Sequence, residues 1–524
     1  MTPLNVPSSA LKGRALFSLI FFTSPGLLAA VNGADTTKKT ADETMTVVAD
    51  GSRQSATNGY QPVNTSTATL TSMPMLDIPQ VVNTVSEQVL QDQHATNLDE
   101  ALYNVANVVQ TNTLGGTQDA FTRRGFGANR DGSIMTNGLR TVLPRSFTAA
   151  TERVEVLKGP ASTLYGILDP GGLINVVTKR PERTFGGSVS ATSTSFGGGT
   201  GRFDVTGPID GTPLAYRVIG EYQHEDYWRN FGKEKSSFIN PSLTWFGERA
   251  TVNVSYSHRN YSTPFDRGTI FDLNTGHAVN VDRKTRFDEP FNITDGYSDL
   301  AQLNAEYRLS DAWTARFDYS YSQDHYNDDQ ARVMAYDSAT GNLTRRVDAT
   351  HGSTQKMHSS RADLQGNVVI GGFYNEILTG LAYENYDLLR TDMIRCKNVK
   401  GFNIYNPVYG TVGKCSSASA SDSDQRIQQE SYAGYVQDAL YLTDKWIAVA
   451  GVRYQYYTQY AGKGRPFNVN TDSSDQKWTP KAGLVYKLTP SVSLFGNVAQ
   501  SFMPQSSIAS YIGNLPPEES TAYE

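Results

Sequence analysis

The sequence predicts an all-β transmembrane barrel with a smaller α/β domain on its N-terminal side. Three observations lead there. Beyond the leader, no apolar run reaches the ~18 residues that a membrane-spanning helix needs. From Phe185 onward, apolar and polar residues alternate strictly over stretches of nine or more. Between those stretches, short turns and long polar loops take turns, which is the arrangement of an outer-membrane barrel. Composition agrees: 29 Tyr, 22 Phe and 45 Gly in a chain only 38% hydrophobic suit strands better than helical spans. With 46 basic against 52 acidic residues, there is no positive footprint for nucleic acid.

Residues 1–34 read as a secretory signal. Lys12 and Arg14 precede an apolar run over residues 15–28, and small residues at Ala29-Ala30 and Gly33-Ala34 offer cleavage points. Export suits the two cysteines, Cys396 and Cys415. They lie in a polar stretch and predict one loop-closing disulfide, with two free buried thiols as the weaker alternative. Residues 35–68 are polar and rich in breakers, as in a flexible tether. Within it, Glu43, Thr44, Met45, Thr46, Val47, Val48 and Ala49 form a β-prone run. Such a run suits strand addition to another protein's sheet, although a stray apolar patch would look the same.

Residues 69–181 follow as a compact α/β domain. Leu98, Ala101, Leu102, Val105 and Val108 share one helical face, with Asn97 as the N-cap and Glu100 three residues on. Residues 154–157 and 173–177 read as short strands bounded by Gly and Pro.

Residues 185–524 make the barrel part. In residues 301–309 every odd position is apolar or aromatic and every even one polar or charged. Residues 313–321 repeat this, and residues 251–257 do so with Val252, Val254 and Tyr256. Strands of a soluble sandwich average about 5–6 residues. The longer runs match tilted membrane strands, with lipid on one face and a wet lumen on the other. Turns at 309–312 and 442–445 alternate with loops at about 264–296 and 392–427. About 14 strands fit, where a barrel enclosing a folded domain needs about 22. The expectation is a partial barrel without its C-terminal strands, too short to close alone.

Five strings run in order through the α/β domain: Asp77-Ile-Pro-Gln80, Phe121-Thr-Arg-Arg-Gly-Phe126, Asn137-Gly-Leu-Arg140, Glu152-Arg-Val-Glu-Val-Leu-Lys-Gly-Pro-Ala-Ser-Thr-Leu-Tyr-Gly166 and Pro170-Gly-Gly-Leu-Ile-Asn-Val-Val-Thr-Lys-Arg-Pro181. The barrel part adds Tyr435-Val-Gln-Asp438 and Gly451-Val-Arg-Tyr454. In these strings the chain resembles TonB-dependent outer-membrane receptors, in particular the ferric-siderophore group, over its whole mature length. Asn137 departs from the pattern, since the family usually shows Asp there. Met503 stands where an acidic residue is frequent.

The resemblance implies that the α/β domain is a plug in the lumen and that residues 43–49 are the TonB box. That segment pairs with the periplasmic transducer TonB, driven by the inner-membrane ExbB–ExbD motor. It also implies a monomer in the Gram-negative outer membrane, embedded in outer-membrane lipid, with loops that phages or bacteriocins can use. The stretch before Glu43 is too short for a folded signalling domain. An outer membrane holds no ATP and no useful potential, so a strand handle pulled from below is a physically sufficient power source.

By the same resemblance, Arg124 and Lys158 lock plug to wall, the plain alternative being ordinary structural charges. The ligand site is roofed by outer loops and floored by plug apices near residues 128–133 and 143–148. That makes Arg130, Arg145 and Phe147 the plug candidates, joined by Tyr261, Phe271 and Tyr405 from the barrel; girdle aromatics are the bland reading of the tyrosines. The expected cargo is a ferric siderophore, with iron arriving already chelated, so no cofactor and no protein metal ligands are expected. The seven His are scattered without metal-binding spacing, and no nucleophile elbow or phosphate loop occurs. Transport is expected, not catalysis. The disulfide-closed loop and the missing signalling domain resemble the hydroxamate (ferrichrome- and ferrioxamine-type) members. Rivals are a catecholate, haem or cobalamin cargo, a passive porin or adhesin barrel, and an inactive truncated reading frame.

Overall fold

Strict alternation places one residue set on each face of a sheet, and here the sheet curves around a second, smaller sheet. The computed structural model describes residues 57–127, 132–511 and 515–524. The signal, the TonB-box residues 43–49 and the plug-apex candidate Arg130 lie outside the described residues. Residues from Gly51 on form one compact unit.

The large sheet has 15 strands. Fourteen run in sequence order, each antiparallel to the next, from Gly186–Ser193 to Glu518–Tyr523. The remaining one, Val399–Asn403, pairs sideways onto Asn342–Ile370. Among the described residues, the first and last of the fourteen each pair on one edge only. Strand length exceeds the sequence expectation: Trp313–Asp337 has 25 residues and Asn342–Ile370 has 29. At ~3.3 Å per residue these hairpins outrun an apolar band of ~25 Å several times over. Their extra length forms the outer structure that carries the long loops.

The lipid face is visible where two aromatic pairs bracket an apolar stretch. Trp446 meets Tyr486 with ring centroids 4.6 Å apart, and Tyr454 meets Trp478 at 4.9 Å. Between these pairs, the positions on the same face are Ala448, Ala450 and Val452 on one strand and Pro480, Ala482 and Leu484 on the other. Trp446 and Tyr454 are eight residues apart (446 to 454), ~26 Å along the strand and ~20 Å across a bilayer once tilted. That spacing fits the two interfacial girdles. The opposite face is not wet at this depth. Leu378, Tyr435, Ala439, Ile447, Val449 and Val485 pack into one core with Ile78, Leu157, Leu164 and Leu168 of the plug.

The plug sheet has five strands in the order Val82–Val85, Thr151–Lys158, Gly172–Thr178, Ile134–Thr136, Leu139–Arg140. Thr151–Lys158 and Gly172–Thr178 pair antiparallel at its centre. Gly172 starts the second of these with φ +96°, and a Cβ there would collide with the Leu157 carbonyl oxygen. On one face the sheet packs Val154, Val156, Ile174 and Val176 against Leu90, Leu98 and Leu102.

Two expectations are corrected here. The helix behind Asn97 covers only Leu98–Leu102. Its cap is as expected: the Asn97 side chain accepts from the Glu100 amide at 2.9 Å, while the Glu100 carboxylate accepts from the Thr96 amide at 2.7 Å. The helix ends in i→i−3 bonds, Tyr103 to the Glu100 carbonyl and Val105 to the Leu102 carbonyl, and beyond Asn107, left-handed at φ 60°, Val108–Gln110 becomes a strand. Secondly, residues 65–68, assigned to the tether, belong to the folded plug. Thr65, Thr67 and Ala68 are almost fully buried. Both hydroxyls donate to one carboxylate oxygen of buried Glu155, at 2.6 Å from Thr65 and 2.5 Å from Thr67.

Candidate functional site

Inward-facing residues near the loop ends of the strands have no lipid to satisfy and no plug core to fill, so they are free to line a chamber. Arg390, Gln429 and Gln459 hold such positions on Phe373–Arg395, Gln425–Tyr441 and Trp446–Lys463. With Gln355 and Tyr386 they form one wall of a cavity of about 430 Å³. The plug supplies its floor through Asp119, Gly132 and the stretch from Arg140 to Pro144 together with Ser146. The volume suits a small-molecule ligand, for which pockets of ~300–1,000 Å³ are usual. Within the wall, the Tyr386 hydroxyl donates to Gln355 at 3.1 Å and Arg390 donates to Gln425 at 2.9 Å.

The plug apex is stitched from two loops. Arg145 pairs with Asp119 at 3.0 Å and also donates to the Gly116 carbonyl. The other Asp119 oxygen accepts from the Ser146 amide at 2.7 Å. Arg145 is thus a structural brace beside the chamber, whose neighbours Pro144 and Ser146 line it. Phe147 is buried in the plug's core cluster with Val154 and Val176. One side of it reaches a second cavity, about 880 Å³, between the plug and the first barrel strands, with Glu221, Glu225 and Glu234 on its wall.

The three barrel candidates are not brought together. Tyr261 is an inward wall residue whose hydroxyl donates to Asp324 at 2.8 Å, and its ring fills the space above Gly296. Phe271 opens a two-residue strand, Phe271–Asp272, on the outer surface of its loop. Tyr405 packs its ring over Gly341 and is otherwise exposed. Among the described residues, none of the three lines either cavity.

Plug and wall meet through many polar contacts. Arg124 forms an ion pair with Glu524. Lys158 is buried nearby, and burial pushes its amine down, with Arg124 adding to that and Glu524 opposing it. Charged pairs recur elsewhere, Lys487 with Asp77 at 2.6 Å and Lys179 with Asp204 at 3.2 Å, and neutral groups add to them. Asn137 donates to Gln302 at 2.7 Å, Ser359 to the Arg140 carbonyl at 3.0 Å, and Gln437 to the Thr69 carbonyl at 3.1 Å. Asn137, where the resemblance leads one to expect Asp, therefore faces a neutral amide.

Above the strands the long loops form a packed cap. Cys396 and Cys415 are disulfide-bonded with Cα atoms 6.3 Å apart. Arg345 pairs with Glu289 at 2.7 Å, both almost fully buried, and its guanidinium lies 4.0 Å from the Phe402 ring centroid. Arg286 pairs with Asp288 at 2.6 Å, and Tyr409 donates to the Arg286 carbonyl at 2.9 Å.

Burial pushes the Asp288 carboxyl up to about 6, with Arg286 pulling the other way. Because the folded-state value lies above the unfolded one of 3.8, the stability Asp288 contributes is complete below that value and is lost as pH rises through about 6. Amides 286–292 should therefore exchange hydrogen more slowly, after correction for intrinsic rates, at about pH 5 than at about pH 7.5. Asp288→Asn should flatten the difference. Equal protection at both pH values in the unmodified protein would contradict the buried, proton-binding carboxyl.

Comparison with known proteins matches this architecture. The TonB dependent receptor-like β-barrel family matches residues 237–524, and the TonB-dependent receptor plug domain matches residues 74–173. The metal-pseudopaline receptor CntO of Pseudomonas aeruginosa is 29% identical, over 98% of this chain and 73% of its own length. The ferrioxamine B receptor of Salmonella typhimurium is 25% identical, over 86% of this chain and 64% of its own. Among solved structures, BauA, the ferric preacinetobactin receptor of Acinetobacter baumannii, superimposes with a TM-score of 0.79 at 21% identity, over 89% of this chain and 71% of its own. Together with a sheet wrapped around a five-stranded plug, these matches establish that the chain belongs to the TonB-dependent receptor family of outer-membrane β-barrels.

Proposed function

We propose that this protein captures a metal-loaded siderophore at the cell surface and carries it to the periplasm with energy relayed by TonB. The observation that carries the reading is the chamber of about 430 Å³ between plug apex and inner wall, at the loop ends of the strands. It is a ligand-sized space whose floor is the movable domain. Two relatives support it through what they bind, metal-pseudopaline in one and ferrioxamine B in the other. In this reading residues 43–49 are the TonB box, Arg124 and Lys158 help hold the resting plug, and the chain is a transporter, not an enzyme.

The test is iron uptake from a panel of ferric siderophores by cells lacking their other receptors. Expression of this protein should restore uptake of at least one member, and competition should show that binding precedes import. No restored uptake across carboxylate, hydroxamate and catecholate members would remove the siderophore reading.

A further inference from the structure

The chamber is charged in one direction, and that charge narrows the cargo. Three charged side chains line it: Arg140, Arg390 and Asp119. Asp119 is already matched by Arg145 at 3.0 Å. Arg140 pairs loosely with Glu384, 3.7 Å away, a carboxylate that Arg453 also draws on, and it donates to the Ile167 carbonyl. Arg390 has no carboxylate partner among the described residues; its guanidinium is held from one side by the Gln425 side-chain oxygen at 2.9 Å. The Nε atoms of both Arg140 and Arg390 are buried without a hydrogen-bond partner. Arg390, with no counter-charge among the described residues, is the costlier of the two, and that cost is relieved when an anion arrives.

We infer that the chamber takes a compact metal chelate that is net negative and carries its charge on carboxylates. This rests on the receptor reading above and departs from the hydroxamate expectation, because a ferric trihydroxamate is electrically neutral. The guanidinium fork matches a carboxylate in two parallel hydrogen bonds. Gln355, Gln429 and Gln459 add neutral amide donors around the same space. Catechol rings would call for aromatic walls, yet Tyr386 is the one aromatic among the described lining residues, beside Leu143, Leu388 and Ile427. Arg390 and Arg140 approach from the wall and from the plug, so a bound anion bridges the two parts.

The test measures binding to outer membranes carrying the full-length chain, using three probes: ferric citrate, a neutral ferric trihydroxamate and a ferric tris-catecholate. Ferric citrate should bind at least about tenfold more tightly than the trihydroxamate. Arg390→Gln should weaken ferric citrate by roughly tenfold or more and change trihydroxamate binding by less than about twofold. Arg390→Lys keeps the charge and should recover part of the loss, and a heat-resistant folded band on unboiled gels confirms that each variant is intact. Tighter binding of the trihydroxamate or the tris-catecholate, or an equal loss for all three probes in Arg390→Gln, overturns the carboxylate assignment while leaving the receptor reading in place. Binding of no probe by the intact protein overturns both.

Discussion

Replacing Glu155 by Ala is expected to destabilise the plug by roughly 3–5 kcal/mol, the range for removing one partner of a buried ion pair. Glu155 is fully buried, and its two oxygens serve different masters. One accepts from Arg153 at 2.7 Å, the other from the hydroxyls of Thr65 and Thr67. Thr67 in turn accepts from Asn175 at 3.0 Å, and the Tyr165 hydroxyl donates to its carbonyl at 2.8 Å. Residues 65–70 are also gripped by the barrel, through Gln437 at the Thr69 carbonyl and Arg316 at the Leu70 carbonyl, 3.1 and 3.3 Å away. The Ala variant takes the Glu155 carboxylate away from buried Arg153, which Glu152 also meets at 2.6 Å, and strips both threonines of that acceptor. Residues 65–70 should then become accessible, so a cysteine placed at Ser66 should label much faster in Glu155→Ala than in the unmodified plug. Glu155→Gln, which keeps an acceptor oxygen, should fall between the two. Unchanged labelling and unchanged unfolding in Glu155→Ala would show that the clasp does not hold this segment.

The second large effect is expected at the other end of the same strand of chain. Val47→Pro should reduce energised uptake to the level of cells lacking the protein, with ligand binding at the surface unaltered. Proline removes a backbone N–H and cannot take its place in a strand ladder, so pairing of residues 43–49 with a transducer strand should fail. The substitution changes none of the residues that line the chamber. Full transport by Val47→Pro would refute the assignment of residues 43–49 as the TonB box. Loss of binding as well as transport would point to a folding defect, which the same gel test detects.

The barrel was legible because two-residue periodicity survives any tertiary context. Ala301, Leu303 and Tyr307 share the face opposite to Gln302 and Asn304, and the structure places the latter two inside. What the periodicity could not supply is where a strand leaves the bilayer, because Asn342–Ile370 keeps alternating beyond the membrane to a total of 29 residues. The helix behind Asn97 is shorter than its apolar spacing suggests because the chain tightens into i→i−3 turns at Tyr103 and Val105, which that spacing does not register.

The chamber was less legible, and the cause is long-range pairing. Tyr261 is a strand-end aromatic by sequence, but Asp324, 63 positions away, occupies its hydroxyl. Phe147 lies in an apex by position, yet the core formed by Val154 and Val176 claims its ring. Sequence reasoning missed Arg390, Gln355, Gln429 and Gln459, although a signal existed for two of them. Arg390 and Gln429 have inward parity and stand a few residues from the long segment 396–424, so alternation combined with closeness to that segment marks them; Gln355, in mid-strand, and Gln459, beside the short turn at 464–467, carry no such mark.

The central claim is that a plugged barrel imports a metal chelate using energy from below. The direct measurement is uptake of radiolabelled iron, presented as the preferred chelate, before and after the inner-membrane proton gradient is dissipated. Binding should persist and import should stop when the gradient is removed. Import that continues unchanged without the gradient would contradict energised transport and make this protein a passive pore.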